Sequence, residues 1–275
     1  MRILSWEAFI QSDTDRPIAA SVGVFDGVHR GHKRLIDLVR SRAPIMESCV
    51  ITFRENPKRI LRPSSFRGSI YSLEKKLEVL ESEGLDICVL IDFSADFGTL
   101  SGAEFLGLLK KAHLGFLTVG PNFRCGHRMD TNAAALAETC QKLGIETLVA
   151  EPVLYAGYPV SSTRIRNAIL EGRLIEVSEM LGRPYEIEYE ADEGYPAYAS
   201  GNPTAEGKGG SVLLPRQGTL LPPDGRYTLC LDQHRDQKCL EALIAGNLVR
   251  LETEAVRGSG RAALITMVSR ECKEK

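Results

Sequence analysis

From residue 2 to about residue 187 the chain alternates short apolar runs with amphipathic stretches, and this rhythm constrains the fold more than any other feature. A strand covered on both faces reads as a continuous apolar run. A helix laid on a sheet needs only a stripe repeating about every 3.6 residues. The alternation therefore predicts an α/β domain, a Rossmann-like parallel sheet with crossover helices. Strands are expected at 18–25, 49–53, 87–91, 116–119 and 147–154, and helices at 31–42, 72–83, 102–112 and 132–143. Leu73, Leu77 and Leu80 fall on one helical face, and Leu106, Leu109 and Leu114 do much the same, which suits packing against a sheet. Two further helices, 162–171 and 175–181, close the region.

After Gly182-Arg183-Pro184 the composition turns toward glycine and proline. Runs at 228–231, 248–252 and 262–268 alternate with turn signals at Pro222-Pro223-Asp224-Gly225 and Gly258-Ser259-Gly260. A small β-rich, barrel-like module is expected there, which divides the chain into domains at 1–184 and 185–275. Basic and acidic residues nearly cancel, 34 against 36, so nothing in the bulk charge points to a nucleic-acid or anionic-membrane partner. No leader-like segment and no uncharged apolar run of about 18 residues is seen, and a cytoplasmic protein acting on small molecules is expected. The seven cysteines (Cys49, Cys88, Cys125, Cys140, Cys230, Cys239 and Cys272) are widely spaced with no C-x-x-C pair, and are expected to be reduced and structural.

The strongest chemical signal is Gly23-Val24-Phe25-Asp26-Gly27-Val28-His29-Arg30-Gly31-His32, which runs from an expected strand into an expected helix. A Gly-rich turn at that junction lets backbone N–H groups and the positive helix end face a polyphosphate. His29 and His32, with Gly31 leaving room between them, can donate hydrogen bonds to phosphate oxygens and stabilise charge that builds up in a transition state. The alternative is a pair of histidines that only caps a helix. Ser161, Ser162 and Thr163 offer hydroxyls and N–H groups at the start of another helix, with Arg166 one turn in, a set suited to the β- and γ-phosphates of ATP or to ordinary capping. Asn122 offers a carbonyl and an amide from a loop. Phe53, Asn56 and Pro57 lie just past a strand's carboxyl end, where ligands of open α/β sheets bind.

In this form the string resembles the H-x-G-H signature of the nucleotidylyltransferase superfamily, and its F-D-G-x-H-x-G-H version is similar to the bacterial FAD synthetases. Three further segments carry the resemblance. Thr52-Phe53-Arg54-Glu55-Asn56-Pro57 resembles a family motif that usually reads T-F-x-P-H-P, with Asn56 where a His is common. Val119-Gly120-Pro121-Asn122-Phe123-Arg124-Cys125-Gly126 is similar to V-G-x-D/N-F-x-F-G, with Cys125 in place of an aromatic. Val160-Ser161-Ser162-Thr163-Arg164-Ile165-Arg166 resembles I-S-S-T-x-x-R and is followed by Leu181-Gly182-Arg183-Pro184-Tyr185.

The resemblance implies an enzyme that joins AMP from ATP to FMN with Mg²⁺, giving FAD and pyrophosphate. Its implied catalytic residues are His29, His32, Asn122 and Arg166. ATP would be bound by Gly23, Phe25, Asp26, Gly27, His29, Gly31, His32, Ser161, Ser162, Thr163 and Arg166, and FMN by Phe53, Asn56, Pro57, Asn122, Phe123 and Arg124. Arg54, Arg59, Arg62 and Arg67 are either flavin contacts or solvated surface charges. The family's usual second module is a riboflavin kinase with a G-F-P-T-A-N signature. Here Pro203-Thr204-Ala205 is kept, but Glu206 replaces the Asn and Ser200-Gly201-Asn202 precedes the signature. Neither Glu252 nor Glu254 suits the kinase's catalytic Glu, so a shortened, kinase-inactive module is expected, with the bifunctional enzyme as the alternative.

Overall fold

The structure is a computed structural model that describes residues 1–12, 14–94, 97–192, 211–231, 238–251, 256 and 259–270. Packing divides it into two units: Met1–Phe66 with Ser72–Val160, and Arg67–Tyr71 with Ser161–Lys275. By this measure the helices that precede residue 185 group with the C-terminal module.

The first unit runs β1 (Arg2–Ser5), α1 (Trp6–Ile10), β2 (Ile18–Val22), α2 (Arg30–Arg40), β3 (Glu47–Phe53), α3 (Pro57–Leu61), α4 (Leu73–Ser82), β4 (Ile87–Ile91), α5 (Gly102–Lys111), β5 (Leu114–Val119), β6 (Arg124–Cys125), β7 (Thr131–Asn132), α6 (Ala133–Leu143), β8 (Glu146–Val149), β9 (Leu154–Tyr155) and β10 (Tyr158–Pro159). Six strands form one sheet in the order β1-β4-β3-β2-β5-β8, every pair parallel. Alternate residues of the central strands, among them Ala20, Val22, Ile51, Val89 and Leu117, form one core with Trp6 and Phe9 of α1, Phe105, Leu106 and Leu109 of α5 and Leu136 of α6. α2 packs on β2, β3 and β5.

The central strands lie where the apolar runs put them; the differences have local causes. The expected strand at 18–25 stops at Val22, because Phe25 (φ +50°), Gly27 (φ +81°) and Val28 (φ +38°) turn the chain through the left-handed region. The expected strand at 147–154 stops at Val149, ahead of Pro152. Leu154 instead opens a small hairpin whose turn, Ala156 (φ +49°) and Gly157 (φ +80°), has the paired positive φ that tight hairpins need. β1 and α1 were not expected. They are four and five residues long, and Ser5 joins them by accepting the Ala8 N–H at 3.2 Å.

Besides the 67–71 segment, the second unit holds α7 (Ser162–Leu170) and α8 (Leu174–Leu181), the latter ended by Gly182 at φ +77°. Strands β11 (Tyr185–Asp192), β12 (Ser211–Pro215), β13 (Gly225–Leu231), β14 (Lys238–Ala245), β15 (Leu248–Leu251) and β16 (Ser259–Arg270) then close a barrel in the order β11-β12-β15-β14-β13-β16. Closure pairs each of the six described strands with two neighbours, which protects sheet edges. Tyr185 and Tyr227 are fully buried, and their hydroxyls donate to the Leu220 and Pro223 carbonyls at 2.8 and 2.6 Å.

The cysteine expectation needs correction in the barrel. Cys230 on β13 and Cys239 on β14 are directly opposed in the antiparallel register and form a disulfide. Cys49, Cys88, Cys125 and Cys140 are free thiols. Burial pushes the Cys88 thiol up to about 11 and Cys125 up to about 12, which keeps both protonated and unreactive near neutral pH. Residues 200–206, Glu252, Glu254 and Cys272 lie outside the described residues.

Candidate active site

In the first unit the sheet order reverses at β2. From there the chain builds outward through β3 and β4 on one side, then crosses to β5 and β8 on the other. At such a switch point the loops at the carboxyl ends of the two central strands diverge and leave a crevice. The histidine motif runs from the loop after β2 into α2, and the loop after β5 holds Asn122 and Phe123, with Arg124 opening β6.

The β2 loop is built tightly. Gly23 N–H donates to the Ile51 carbonyl at 3.1 Å, and Val28 N–H donates to the Phe25 carbonyl at 3.2 Å. A Cβ on Gly23 would stand 3.2 Å from the Phe25 ring, so a side chain there would disturb the turn. Phe25 and Val28 hold positive φ while almost fully buried, a conformation costing about 1–3 kcal/mol each that only the surrounding packing can impose.

His29 is the N-cap of α2. Its Nδ1 accepts the His32 N–H at 3.3 Å, and its carbonyl accepts the Lys33 N–H at 2.9 Å. With Nδ1 used as an acceptor, the neutral ring carries its proton on Nε2. The His29 and His32 rings stack with centroids 3.7 Å apart and planes 14° apart, and Phe25 packs on His32 at 4.8 Å. A Cβ on Gly31 would meet His29 Cε1 and Nδ1 at 3.1 Å, so glycine keeps that ring in place. His29 thus caps the helix, and capping orients its ring.

At the end of β3, Phe53 packs edge-on against Phe93 and Phe97 with centroids 6.0 and 6.3 Å away. Asn56 is the N-cap of α3, accepting the Lys58 N–H at 3.1 Å, and Pro57 occupies the first helical position, where a missing N–H costs nothing. Arg54 pairs with Asp92 at 2.8 Å, and Arg59 stands 3.8 Å from Glu55. After β5, Asn122 and Arg124 are exposed and Phe123 is half-buried, its N–H donating to the Gly120 carbonyl at 3.1 Å. Among the described residues no cluster of three or more His, Cys, Asp or Glu side chains forms a metal site, and no helix is long and apolar enough to cross a membrane.

In the second unit, Ser161 caps α7 by accepting the Arg164 N–H at 3.3 Å, and Ser162 and Thr163 fill the first helical positions. Arg166 Nε donates to the Gly68 carbonyl at 2.9 Å, fixing the 67–71 segment against α7.

Sequence reasoning passed over Lys76. It lies on the buried face of α4, 7% exposed, with Nζ 2.6 Å from the Phe53 carbonyl and 3.4 Å from Thr52 Oγ1. Burial lowers its pKa from 10.5 to about 8, while Asp26 and Cys88 act in the opposite sense. The available signal was its place among Leu73, Leu77 and Leu80 on an apolar face.

The parallel α/β sheet thus brings a stacked imidazole pair to a helix N-terminus at its switch point. A model of the FAD synthetase family matches residues 11–164, more than half of the chain, and the chain belongs to that family. It is 30% identical over 222 residues to the bifunctional riboflavin kinase/FMN adenylyltransferase of Pseudomonas fluorescens, covering 79% of this chain and 69% of that one. It is 29% identical over 175 residues to the protein of the same name from Buchnera aphidicola subsp. Schizaphis graminum, covering 62% and 56%. The chain thus spans little more than half the length of some curated relatives. Among solved structures, one titled as a macrolide-efflux protein from Streptococcus pneumoniae superposes with a TM-score of 0.86 at 22% identity, covering 100% of this chain and 93% of that one. That likeness establishes the fold alone.

Proposed function

We propose that the chain transfers AMP from ATP to FMN, forming FAD and pyrophosphate. An FMN phosphate oxygen attacks the α-phosphorus of ATP, a new P–O bond forms, and the bond to the β-phosphate breaks as pyrophosphate leaves. A phosphate monoester has a second pKa of about 6, so the nucleophile is already ionised near neutral pH and no strong general base is needed. Catalysis then rests on positioning and charge neutralisation. The observation that carries this reading is the near-parallel stacking of His29 and His32 at the head of α2, with the His29 ring oriented by its capping bond.

In this reading Gly23, Phe25, Asp26, Gly27 and Gly31 shape the ATP turn. Ser161, Ser162, Thr163 and Arg166 take the distal phosphates. Phe53, Asn56, Pro57, Phe123 and Arg124 hold FMN, and Asn122 meets a metal-bound phosphate or the flavin side. Mg²⁺ accompanies ATP and supplies charge neutralisation. A cytoplasmic location suits these substrates. The test is His29→Ala and His32→Ala: each should lower turnover by on the order of 10²-fold or more with unfolding unchanged, whereas near-normal FAD formation by both would sink the assignment.

The functional division is proposed at 1–184 for adenylyl transfer and 185–275 for a kinase-like barrel that no longer phosphorylates riboflavin. Glu206 supports this reading, because a carboxylate stands in sequence where the signature has Asn. The bifunctional reading is favoured by the relatives, which are bifunctional riboflavin kinase/FMN adenylyltransferases, and by the closure of the barrel. Riboflavin with ATP separates the two, since a bifunctional chain accumulates FMN.

A further inference from the structure

We infer that Lys76 is a positioning residue for adenylyl transfer, clamping the carboxyl end of β3 to the histidine-bearing turn through Thr52. The inference rests on the activity proposed above. Lys76 Nζ donates to the Phe53 carbonyl at 2.6 Å and approaches Thr52 Oγ1 at 3.4 Å. The Thr52 hydroxyl in turn donates to the Val24 carbonyl at 2.9 Å. Val24 lies in the turn immediately before Phe25, and Phe25 packs on the His32 ring. One chain of largely buried contacts thus leads from α4, through the strand end that bears the proposed flavin residue Phe53, to the imidazole pair.

The choice of residue argues against a purely structural role. Thr52 is fully buried and Lys76 nearly so. An ammonium held out of water penalises the fold, and an apolar side chain of similar length would fill the site at lower cost. Asp26, buried in the same turn, raises the Lys76 pKa and so favours the charged form that burial opposes. A cation kept at the foot of a polyphosphate-handling turn is also opposite in sign to the negative charge that the proposed reaction brings there.

The test compares wild type with Lys76→Met, Thr52→Val and Thr52→Ser, measuring kcat, KM for ATP and KM for FMN from FAD formation and pyrophosphate release, together with thermal unfolding. Misplacement of a turn by a fraction of an ångström to an ångström predicts kcat lower by about 10- to 100-fold in Lys76→Met and Thr52→Val. KM for ATP should change much less, cooperative unfolding should persist, and Thr52→Ser, which keeps the hydroxyl, should recover most of the rate. Wild-type kcat in Lys76→Met or Thr52→Val, or a Thr52→Ser as slow as Thr52→Val, would overturn the inference. If Lys76→Met fails to fold, the Thr52 pair decides alone. A wild type that forms no FAD would instead overturn the proposed activity, and the inference with it.

Discussion

Gly31→Ala should separate the stability of this protein from its chemistry. Gly31 is the second residue of α2 and does not need positive φ, so alanine suits the backbone and should favour the helix by up to about 0.5–1 kcal/mol. The new Cβ, however, would stand 3.1 Å from both Cε1 and Nδ1 of His29, a few tenths of an ångström inside ordinary contact. The ring can yield only by opening its 3.7 Å stack with His32 or by stretching the 3.3 Å hydrogen bond that orients it. A displacement of about 1 Å from productive geometry can cost on the order of 10²-fold, so a shift of a few tenths should lower kcat by about tenfold, close to 1.4 kcal/mol of transition-state stabilisation. Pyrophosphate release at saturating ATP and FMN, beside a thermal melt, measures both quantities. A Gly31→Ala protein with unchanged or higher melting temperature and reduced kcat is expected. Wild-type turnover in a variant carrying this methyl would refute the claim that the imidazole geometry governs the rate.

Two further outcomes follow from the packing. Because Lys76 has a folded-state pKa of about 8 against an ordinary 10.5, the unfolded chain holds a proton that the folded chain releases between those values. Stability should therefore rise with pH across that window, by at most about 3 kcal/mol, and denaturant titrations of Lys76→Met should lack the rise. In the barrel, Cys230 and Cys239 close a loop with a sequence separation of 9, worth about 2–3 kcal/mol by chain entropy. Cys230→Ser with Cys239→Ser should lower the barrel's unfolding midpoint under non-reducing conditions and leave FAD formation unaffected, and identical midpoints in the two proteins would contradict this.

The central sheet was legible because β2, β3, β4 and β5 are buried on both faces and read as unbroken apolar runs. β1 carried no such signal: it has four residues, and Ile3 is exposed at the sheet edge. In the barrel, β11 alternates Tyr185, Ile187 and Tyr189, all buried, with Glu186, Glu188 and Glu190. A search for apolar runs passes over that period-two pattern. The histidine motif was legible because its geometry is local, His29 and His32 being three residues apart on one helix start. Lys76 was not, since its meaning depends on a carbonyl 23 residues earlier in the chain that only the tertiary fold brings within 2.6 Å. The Cys230–Cys239 bond was hidden for the same reason: it follows from the register of β13 with β14, which spacing alone does not specify.

The most direct test is product chromatography after incubation of the intact chain with ATP, Mg²⁺ and either FMN or riboflavin. The account predicts FAD and stoichiometric pyrophosphate from FMN, and no FMN or FAD from riboflavin. Absence of FAD in the FMN reaction would contradict the proposed transfer. FMN accumulating from riboflavin at a rate comparable to FAD synthesis would contradict the proposed loss of the kinase.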